Sequence, residues 1–143
     1  MALASHLGAW LLGTVKNTTG TTAGLVRNMG ATSVGQSATV NYGDAAGSTA
    51  FVIPAGAIVT NIAFYSTTAF TGTSPTLKVT IAGTDVTTAQ AMTSGTAYNG
   101  TVALAQTAAA AGVLSNVGST DAIVTYTVGG TSLTTGAGTL VVS

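Results

Sequence analysis

Few residues in this sequence are of a type that does chemistry. The chain of 143 residues contains one histidine, His6, which follows Ser5, and three acidic residues, Asp44, Asp85 and Asp121. A Ser-His-Asp triad would need the N-terminal segment to fold back over one of these aspartates. We interpret His6 instead as a polar residue of that segment or as a subunit contact, and we expect no catalytic residues.

The three aspartates also lack the surroundings of a metal site. They lie in "YGDAAG", "AGTDVT" and "STDAIV", turn-like stretches in which an Asp side chain ordinarily accepts hydrogen bonds from nearby backbone amides. A calcium loop gathers several carboxylates, and zinc requires cysteine or several histidines, whereas this chain has no cysteine and one histidine. We expect no metal and no cofactor, and one alternative stays open: an ion held by a single aspartate and backbone carbonyls.

The basic residues argue against nucleic acid as a partner. Lys16, Arg27 and Lys78 are the only three, whereas a duplex-binding protein commonly neutralises about 6 to 10 phosphates. The segment "TTGAGTL" contains only two glycines of a dinucleotide-binding pattern, and we interpret it as a tight bend before the last strand. The sequence thus favours a protein that is not an enzyme and does not bind nucleic acid.

The composition is that of a β protein with an almost uncharged surface. Charged residues make up 4% of the chain, against roughly 25% in a typical soluble domain. Threonine, alanine and glycine account for 29, 25 and 19 residues; threonine fits a pleated sheet and glycine supplies turns. A neutral surface does little to keep copies apart, so we expect an oligomer or a component of a larger structure.

The N-terminal sequence "MALASHLGAWLLGTV" does not have the pattern of a secretory signal. Such a signal places basic residues before its apolar run, whereas Lys16 comes after it. No segment has the about 20 consecutive apolar residues that a membrane helix needs. We therefore expect synthesis in the cytoplasm and no membrane partner.

Residues 1–36 are predicted to form an N-terminal arm. Leu3, Leu7, Trp10 and Leu11 recur at i, i+4, i+7 and i+8, which is one stripe of a short amphipathic helix. Two glycines within this stretch weaken a helix, so an extended arm stays open as an alternative. The rest of the arm consists of turn formers, small polar residues and isolated apolar residues, a composition that favours a chain lying along a partner.

Residues 37–143 are predicted to form an all-β domain. In "TLKVTIAGTDVTT", Leu77, Val79 and Ile81 alternate with polar residues, and "AGTD" turns the chain back as a hairpin. "AIVTNIAFY" is apolar on both faces, which favours a central or covered strand. Further strands are predicted at "SATVNY", "AFVI", "TVALA", "AIVTYTV" and "TLVV". Seven or eight short strands are typical of a β-sandwich or jelly roll.

Glycine and proline predict the connections. Pro54 and Gly56 suit the second and fourth positions of a type I turn. Gly129 and Gly130 suit a hairpin turn after "AIVTYTV". "AQTAAAAG" is long enough for one helical turn only.

Several of these segments occur together in one protein family. They are the strand pair "IPAGAIVTNI", the "TAF" step, the hairpin "LKVTIAGTD" and the ending "AIVTYTVGGTSLTTGAGTLVV". On these patterns, which cover most of residues 38–142, the chain resembles the capsid decoration proteins of tailed bacteriophages, also called cement or head auxiliary proteins. The resemblance implies a β domain, commonly trimeric, that lies on the capsid surface of the virion and reinforces the joints between major capsid proteins. It implies no catalytic residue.

The contacts of the arm are inferred from its residues and not from the resemblance. Leu7, Trp10 and Leu11 are large apolar groups in a segment too short to build its own core, and Lys16 and Arg27 carry its two positive charges. We predict these five residues as the capsid-binding set.

Two other classes stay open. A trimeric phage fibre or receptor-binding module would share the β character and would display exposed aromatic residues for sugar contact. Another charge-poor surface-assembly protein, such as an ice-binding or adhesive protein, would need Thr-x-Thr motifs that repeat at a constant interval along the sequence. "TYT" and "TGT" do not repeat in that way.

Overall fold

The computed structural model describes residues 34–143, so residues 1–33, with His6 and the five predicted capsid-binding residues, lie outside the described range. The described chain forms seven strands and one helix in the order β1 Gln36–Asn41, β2 Ser48–Ile53, β3 Ile62–Ile81, β4 Thr84–Asp85, β5 Gln90–Ala91, β6 Asn99–Thr101, α1 Ala108–Ser115 and β7 Ala122–Val142. Strands dominate, and the predicted all-β fold class is confirmed.

Two long strands build the domain. β3 and β7 contain 20 and 21 residues and pair antiparallel along their whole length. Ile62 lies opposite Val142 at one end of the pair, and Ile81 lies opposite Val124 at the other. Every other strand pairs with one of these two, so β3 and β7 position the whole sheet.

The middle of this strand pair bends. Its register shifts repeatedly between Ser66 and Thr76, and an extra residue on one strand bends that strand and increases its twist. Gly72 and Gly130 have positive φ angles of 147° and 132° in the same stretch, a conformation that glycine adopts at no steric cost. The bend divides the sheet into two halves with different edge strands.

The two halves close over each other. The first contains β1, the end of β7, the start of β3 and β6, whereas the second contains β2, the start of β7, the end of β3, β4 and β5. A bridge between Thr87 and Leu104 joins them beyond the β3 edge. The strands nevertheless belong to one seven-stranded sheet and not to the two separate sheets of a sandwich or jelly roll.

One hydrophobic core lies between the halves. Leu77, Val79 and Ile81 are each at most 1% exposed, and the residues between them are partly exposed, so the predicted alternation is confirmed. The fully buried apolar side chains come from both halves: Val40, Ile62, Phe64, Phe70, Leu77, Val79, Ile81, Val86, Val102, Val124 and Leu140.

Two further predictions for β3 are confirmed. Ile81 pairs with Thr84, as the "AGTD" hairpin requires. β3 is central, because it pairs with β7 on one edge and with β4, β5 and β6 on the other. It begins at Ile62, later than the start of the predicted segment. Asn61 and Ser143 exchange main-chain hydrogen bonds at 2.9 and 3.0 Å, which continues the antiparallel pairing of β3 and β7 by one residue.

The hairpin predicted at Gly129 and Gly130 is wrong. Gly129 pairs with Thr76, and β7 continues without reversal to Thr131, which lies opposite Thr73. The positive φ of Gly130 serves the bend of the sheet and not a chain reversal. For this reason "AIVTYTV" and "TLVV" are the two ends of one long strand and not two short ones.

The turn after β2 is of another type than predicted. Ala57 donates its amide to the carbonyl oxygen of Pro54 at 3.2 Å, so Pro54 holds the first position of the turn. Gly56, with a φ of 74°, then holds the third position, where a type II turn requires positive φ. The predicted type I turn is therefore one residue out of register.

Helix α1 is longer than the single turn predicted from "AQTAAAAG". Thr107 caps its N-terminus, since the threonine hydroxyl accepts the amide hydrogen of Ala110 at 3.1 Å. Ala110 is buried, and Val113 and Leu114 pack against the core. These tertiary contacts stabilise an eight-residue helix that would be marginal in isolation.

Candidate assembly surface

The strongest charge pair of the described domain lies on the exposed face of β3 and β4. Lys78 Nζ and Asp85 Oδ2 are 3.0 Å apart, and Thr80 donates its hydroxyl hydrogen to Asp85 Oδ1 at 2.9 Å. The hydrogen bond from Lys78, followed by that from Thr80, lowers the pKa of Asp85. Because both side chains are solvated, the pair contributes little to stability.

The other two aspartates hold loops in place. Asp121 Oδ1 accepts the amide hydrogen of Ala55 at 3.0 Å and so ties the turn after β2 to the start of β7. Asp44 Oδ2 accepts the amide hydrogen of Asn41 at 2.7 Å. The predicted role of the aspartates as acceptors for nearby backbone amides is confirmed for Asp44. Asp121 instead accepts the amide of a residue 66 positions away, and Asp85 binds side chains.

Asp44 also accepts a hydrogen bond from Tyr126. The phenol oxygen of Tyr126 lies 2.6 Å from Asp44 Oδ2. This hydrogen bond lowers the pKa of Asp44, while burial and the neighbouring carboxylate raise the pKa of Tyr126 to about 12. The contact therefore joins a neutral phenol donor to a charged acceptor, a combination stronger than a hydrogen bond between neutral groups.

Within residues 34–143, no group of three His, Cys, Asp or Glu side chains is placed to hold a metal ion. None of the helices in that range is long and apolar enough to cross a membrane. All three aspartates and Lys78 have intramolecular hydrogen-bond partners, so the formal charges of the described domain are engaged within it.

Threonine residues line the outer faces of both halves. On the second half, Thr49, Thr125 and Thr80 lie opposite one another on β2, β7 and β3. On the first half, Thr39 lies opposite Thr139 on β1 and β7. These rows present hydroxyl and methyl groups without charge, so another protein can cover them without desolvating an ion.

An exposed apolar pair lies at the edge of the second half. Val52 on β2 and Ile123 on β7 are directly opposite each other and are 45% and 52% exposed. Ile58, in the loop between β2 and β3, is 66% exposed. Among the described strands, β2 pairs with β7 alone, which makes it an edge strand. Exposed apolar side chains at a sheet edge are typical of a surface that another protein covers.

The predicted capsid-binding residues are in another part of the chain. Leu7, Trp10, Leu11, Lys16 and Arg27 lie outside the described residues, so their role stays a prediction.

Val52 and Ile123 are not among the predicted site residues, although the sequence contains a signal for them. Each is followed by a buried residue of the same strand, Ile53 or Val124. Since side chains of a strand alternate between its faces, an apolar residue beside a core residue must face outward.

Neither a family model, nor a curated protein, nor a solved structure matches this chain. The domain itself offers a charge-poor, threonine-rich surface, an exposed apolar pair at one edge and charged side chains that have hydrogen-bond partners within it. This arrangement suits contact with other protein surfaces.

Proposed function

We propose that this protein is a capsid decoration protein of a tailed bacteriophage. It is a non-enzymatic virion component that binds the outer capsid surface and reinforces the contacts between major capsid proteins. It is made in the bacterial host cytoplasm, forms a homotrimer and has the major capsid protein and its own copies as partners. The resemblance of residues 38–142 to that family supports the proposal, and one property of the domain carries it: its four charged side chains all have hydrogen-bond partners within the domain.

Charged side chains that already have hydrogen-bond partners suit a protein that is surrounded by neighbouring subunits. Burying an ion without a partner costs several kcal/mol. Lys78 and Asp85 keep each other as partners when a neighbour covers them, and Asp121 keeps the amide of Ala55. The threonine rows around them carry no charge at all. Such a surface tolerates close contact with many copies of a lattice protein.

The Val52 and Ile123 pair is the described surface that best suits contact between copies. Both side chains are about half exposed. Covering large apolar side chains contributes about 25 cal/mol for each Å² removed from water. We assign this edge to the interface of the proposed trimer.

We assign attachment to the capsid to the arm. Leu7, Trp10 and Leu11 each contribute about 1.5–3 kcal/mol when fully buried. Ordering a chain segment costs about 1–2 kcal/mol per residue, so three side chains cannot offset the ordering of an arm of this length. The arm must also pair its backbone with the partner, and its glycine- and threonine-rich sequence permits this.

A fibre or receptor-binding module is the second candidate. Tyr42 and Tyr65 are 44% and 48% exposed, and exposed aromatic rings are what a sugar-binding surface would display. These two residues favour that class over an ice-binding or adhesive protein.

Cryo-electron microscopy of purified particles of a phage that encodes this chain tests both candidates. Density for the β domain on the outer capsid, repeated with the lattice of the major capsid protein, is the expected result. Density on a fibre or on the tail would establish the second candidate instead. Particles that lack the chain altogether would overturn both.

A further inference from the structure

The outer edge of β1 has main-chain groups that point away from the sheet. Tyr42, directly after β1, donates its amide to Gly136 of β7 at 2.9 Å. Main-chain groups of an antiparallel strand alternate between its two edges, so Ser37, Thr39 and Asn41 direct theirs away from β7. Among the described strands β1 pairs with β7 alone, and an outer edge of this kind is a template for pairing with a strand of another chain.

Two side chains occupy this edge. Asp44 Oδ2 accepts the outward amide hydrogen of Asn41 at 2.7 Å. The hydroxyl of Tyr126, held by Asp44 at 2.6 Å, also lies 3.3 Å from the outward carbonyl oxygen of Thr39. A strand that added to β1 would have to displace both side chains from two of the three outward-facing residues.

We propose that Asp44 and Tyr126 form a latch that closes the β1 edge to strand addition by a second copy of this chain. A second copy is the fitting partner because β1, "QSATVN", carries no formal charge, so identical edges meet without repulsion. Antiparallel pairing of two identical strands is also self-complementary. The inference does not depend on the capsid-binding proposal.

The closed latch is favoured by the burial of Tyr126. Its side chain is 5% exposed and part of the core. Displacing Asp44 would remove the charged acceptor of the phenol hydroxyl and leave it only the longer contact with the Thr39 carbonyl oxygen at 3.3 Å, which is costly at a largely buried site. Removing either member of the latch therefore favours the open edge.

Two variants of the full chain test the latch. Asp44→Ala removes the acceptor, and Tyr126→Phe removes the donor while it keeps the ring in the core. In Asp44→Ala we expect the Asn41 amide to exchange its hydrogen roughly tenfold faster or more, because this variant removes the charged acceptor of that amide. In both variants we expect the molar mass measured by light scattering to rise to multiples of the wild-type value. Asp85→Ala is the matched control, because it removes another hydrogen-bonded aspartate away from β1 and should leave both readings unchanged.

A proline at position 39 separates edge pairing from other causes of association. The Thr39 amide points away from β7, so Thr39→Pro removes no hydrogen bond of the sheet and blocks an added strand. The double variants Asp44→Ala/Thr39→Pro and Tyr126→Phe/Thr39→Pro should return to the wild-type mass.

Three results would overturn the latch. The first is an unchanged mass in both single variants at every concentration tested. The second is association that persists with Thr39→Pro. The third is association that occurs only with loss of the near-ultraviolet circular dichroism signal, since it would then come from unfolding.

Discussion

The ring of Phe64 lies directly on the backbone of Gly138. A methyl group at position 138 would come within 2.3 Å of Phe64 Cζ and 2.6 Å of the carbonyl oxygen of Tyr65. Phe70 lies in the same way on Gly136, where a methyl group would approach Cδ1 to 2.3 Å. The two rings are 5.9 Å apart and tilted by 58°. The segment "TTGAGTL" is thus a platform for two core aromatic rings. It lies in the stretch of β7 where the register with β3 shifts, and the separate last strand predicted after it is wrong because β7 is continuous.

Gly138→Ala should destabilise the domain, because the added methyl group overpacks the core against the backbone. We expect the free energy of unfolding to fall by about 1–3 kcal/mol, measured by urea denaturation. Gly112→Ala is the control: a Cβ there meets nothing within 4 Å, and alanine is the better helix former by about 1 kcal/mol. Equal stability of Gly138→Ala and wild type would contradict the close packing.

Val79→Asp should prevent folding, whereas Lys78→Glu should not. Val79 is 0% exposed in the core, and an unpaired carboxylate there costs a large part of the about 5–15 kcal/mol that stabilises a domain. Lys78→Glu only replaces the exposed ion pair with Asp85, with an expected change of about 1 kcal/mol or less. Circular dichroism and thermal unfolding of the two neighbouring variants check this. Equal tolerance of both would mean that the register of β3 is wrong.

Stability should fall between pH 10 and pH 12 through Tyr126. An unfolded tyrosine titrates near 10.0, whereas burial and Asp44 raise the pKa of folded Tyr126 to about 12. Below pH 10 the phenol of Tyr126 is neutral in both the folded and the unfolded state, and its contribution to the free energy of unfolding is complete. Above pH 10 the unfolded state loses the phenol proton first, so that state becomes favoured as the pH rises.

Urea denaturation across this alkaline range should therefore give a flatter pH profile for Tyr126→Phe than for wild type. Tyr65→Phe, on the outer face, should keep the wild-type profile. In acid the stability changes with pH in the opposite direction, through Asp44. The pKa of Asp44 is lowered, so its contribution is present above the ordinary value of 3.8 and is lost as the pH falls through its folded value.

The purified protein should be a homotrimer. A domain with so little charge and with Val52 and Ile123 exposed should cover apolar surface against its own copies. Light scattering measures the mass, and Ile123→Lys should reduce the trimer fraction because it places a charge in the proposed contact. A stable monomer at micromolar concentration would count heavily against this prediction.

Deletion of residues 2–30 should leave a folded β domain that no longer binds capsids. The described core draws its buried side chains from residues after this segment, and the proposed capsid contacts lie within it. Trp10→Ala should weaken capsid binding less than the deletion does, since it removes one apolar side chain whose burial contributes about 1.5–3 kcal/mol. Co-sedimentation with capsids that lack the protein measures both effects. Full decoration by the truncated domain would place the binding face on the strands.

What the sequence predicts correctly is local. The alternation of Leu77, Val79 and Ile81 requires only neighbouring residues, and so does the hairpin after Ile81. Apart from the turn at Pro54, the errors in the strands involve pairing over long distances. A glycine pair such as Gly129 and Gly130 indicates that positive φ is needed, but it does not tell a reversal from a bend within a strand.

The difference between local and long-range information also applies to the contacts of single side chains. Tyr126 and Asp44 are 82 residues apart, and no periodicity of the sequence indicates that they meet. The exposure of Val52 and Ile123 follows from strand parity, but their pairing follows only from the register of β2 on β7.

The position of β7 in the chain sets the time at which the protein can fold during its synthesis. β7 pairs with β1, β2 and β3, and its partners in β3 lie 43 residues away at Ile81 and Val124 and 80 residues away at Ile62 and Val142. Such long-range pairing makes folding slow. Neither half of the sheet can form while the ribosome has yet to translate Ala122–Val142, because each half takes one of its strands from that segment. Folding of the domain therefore follows the translation of that segment, and no copy that lacks it can present either the β1 edge or the paired Val52 and Ile123 side chains to another subunit.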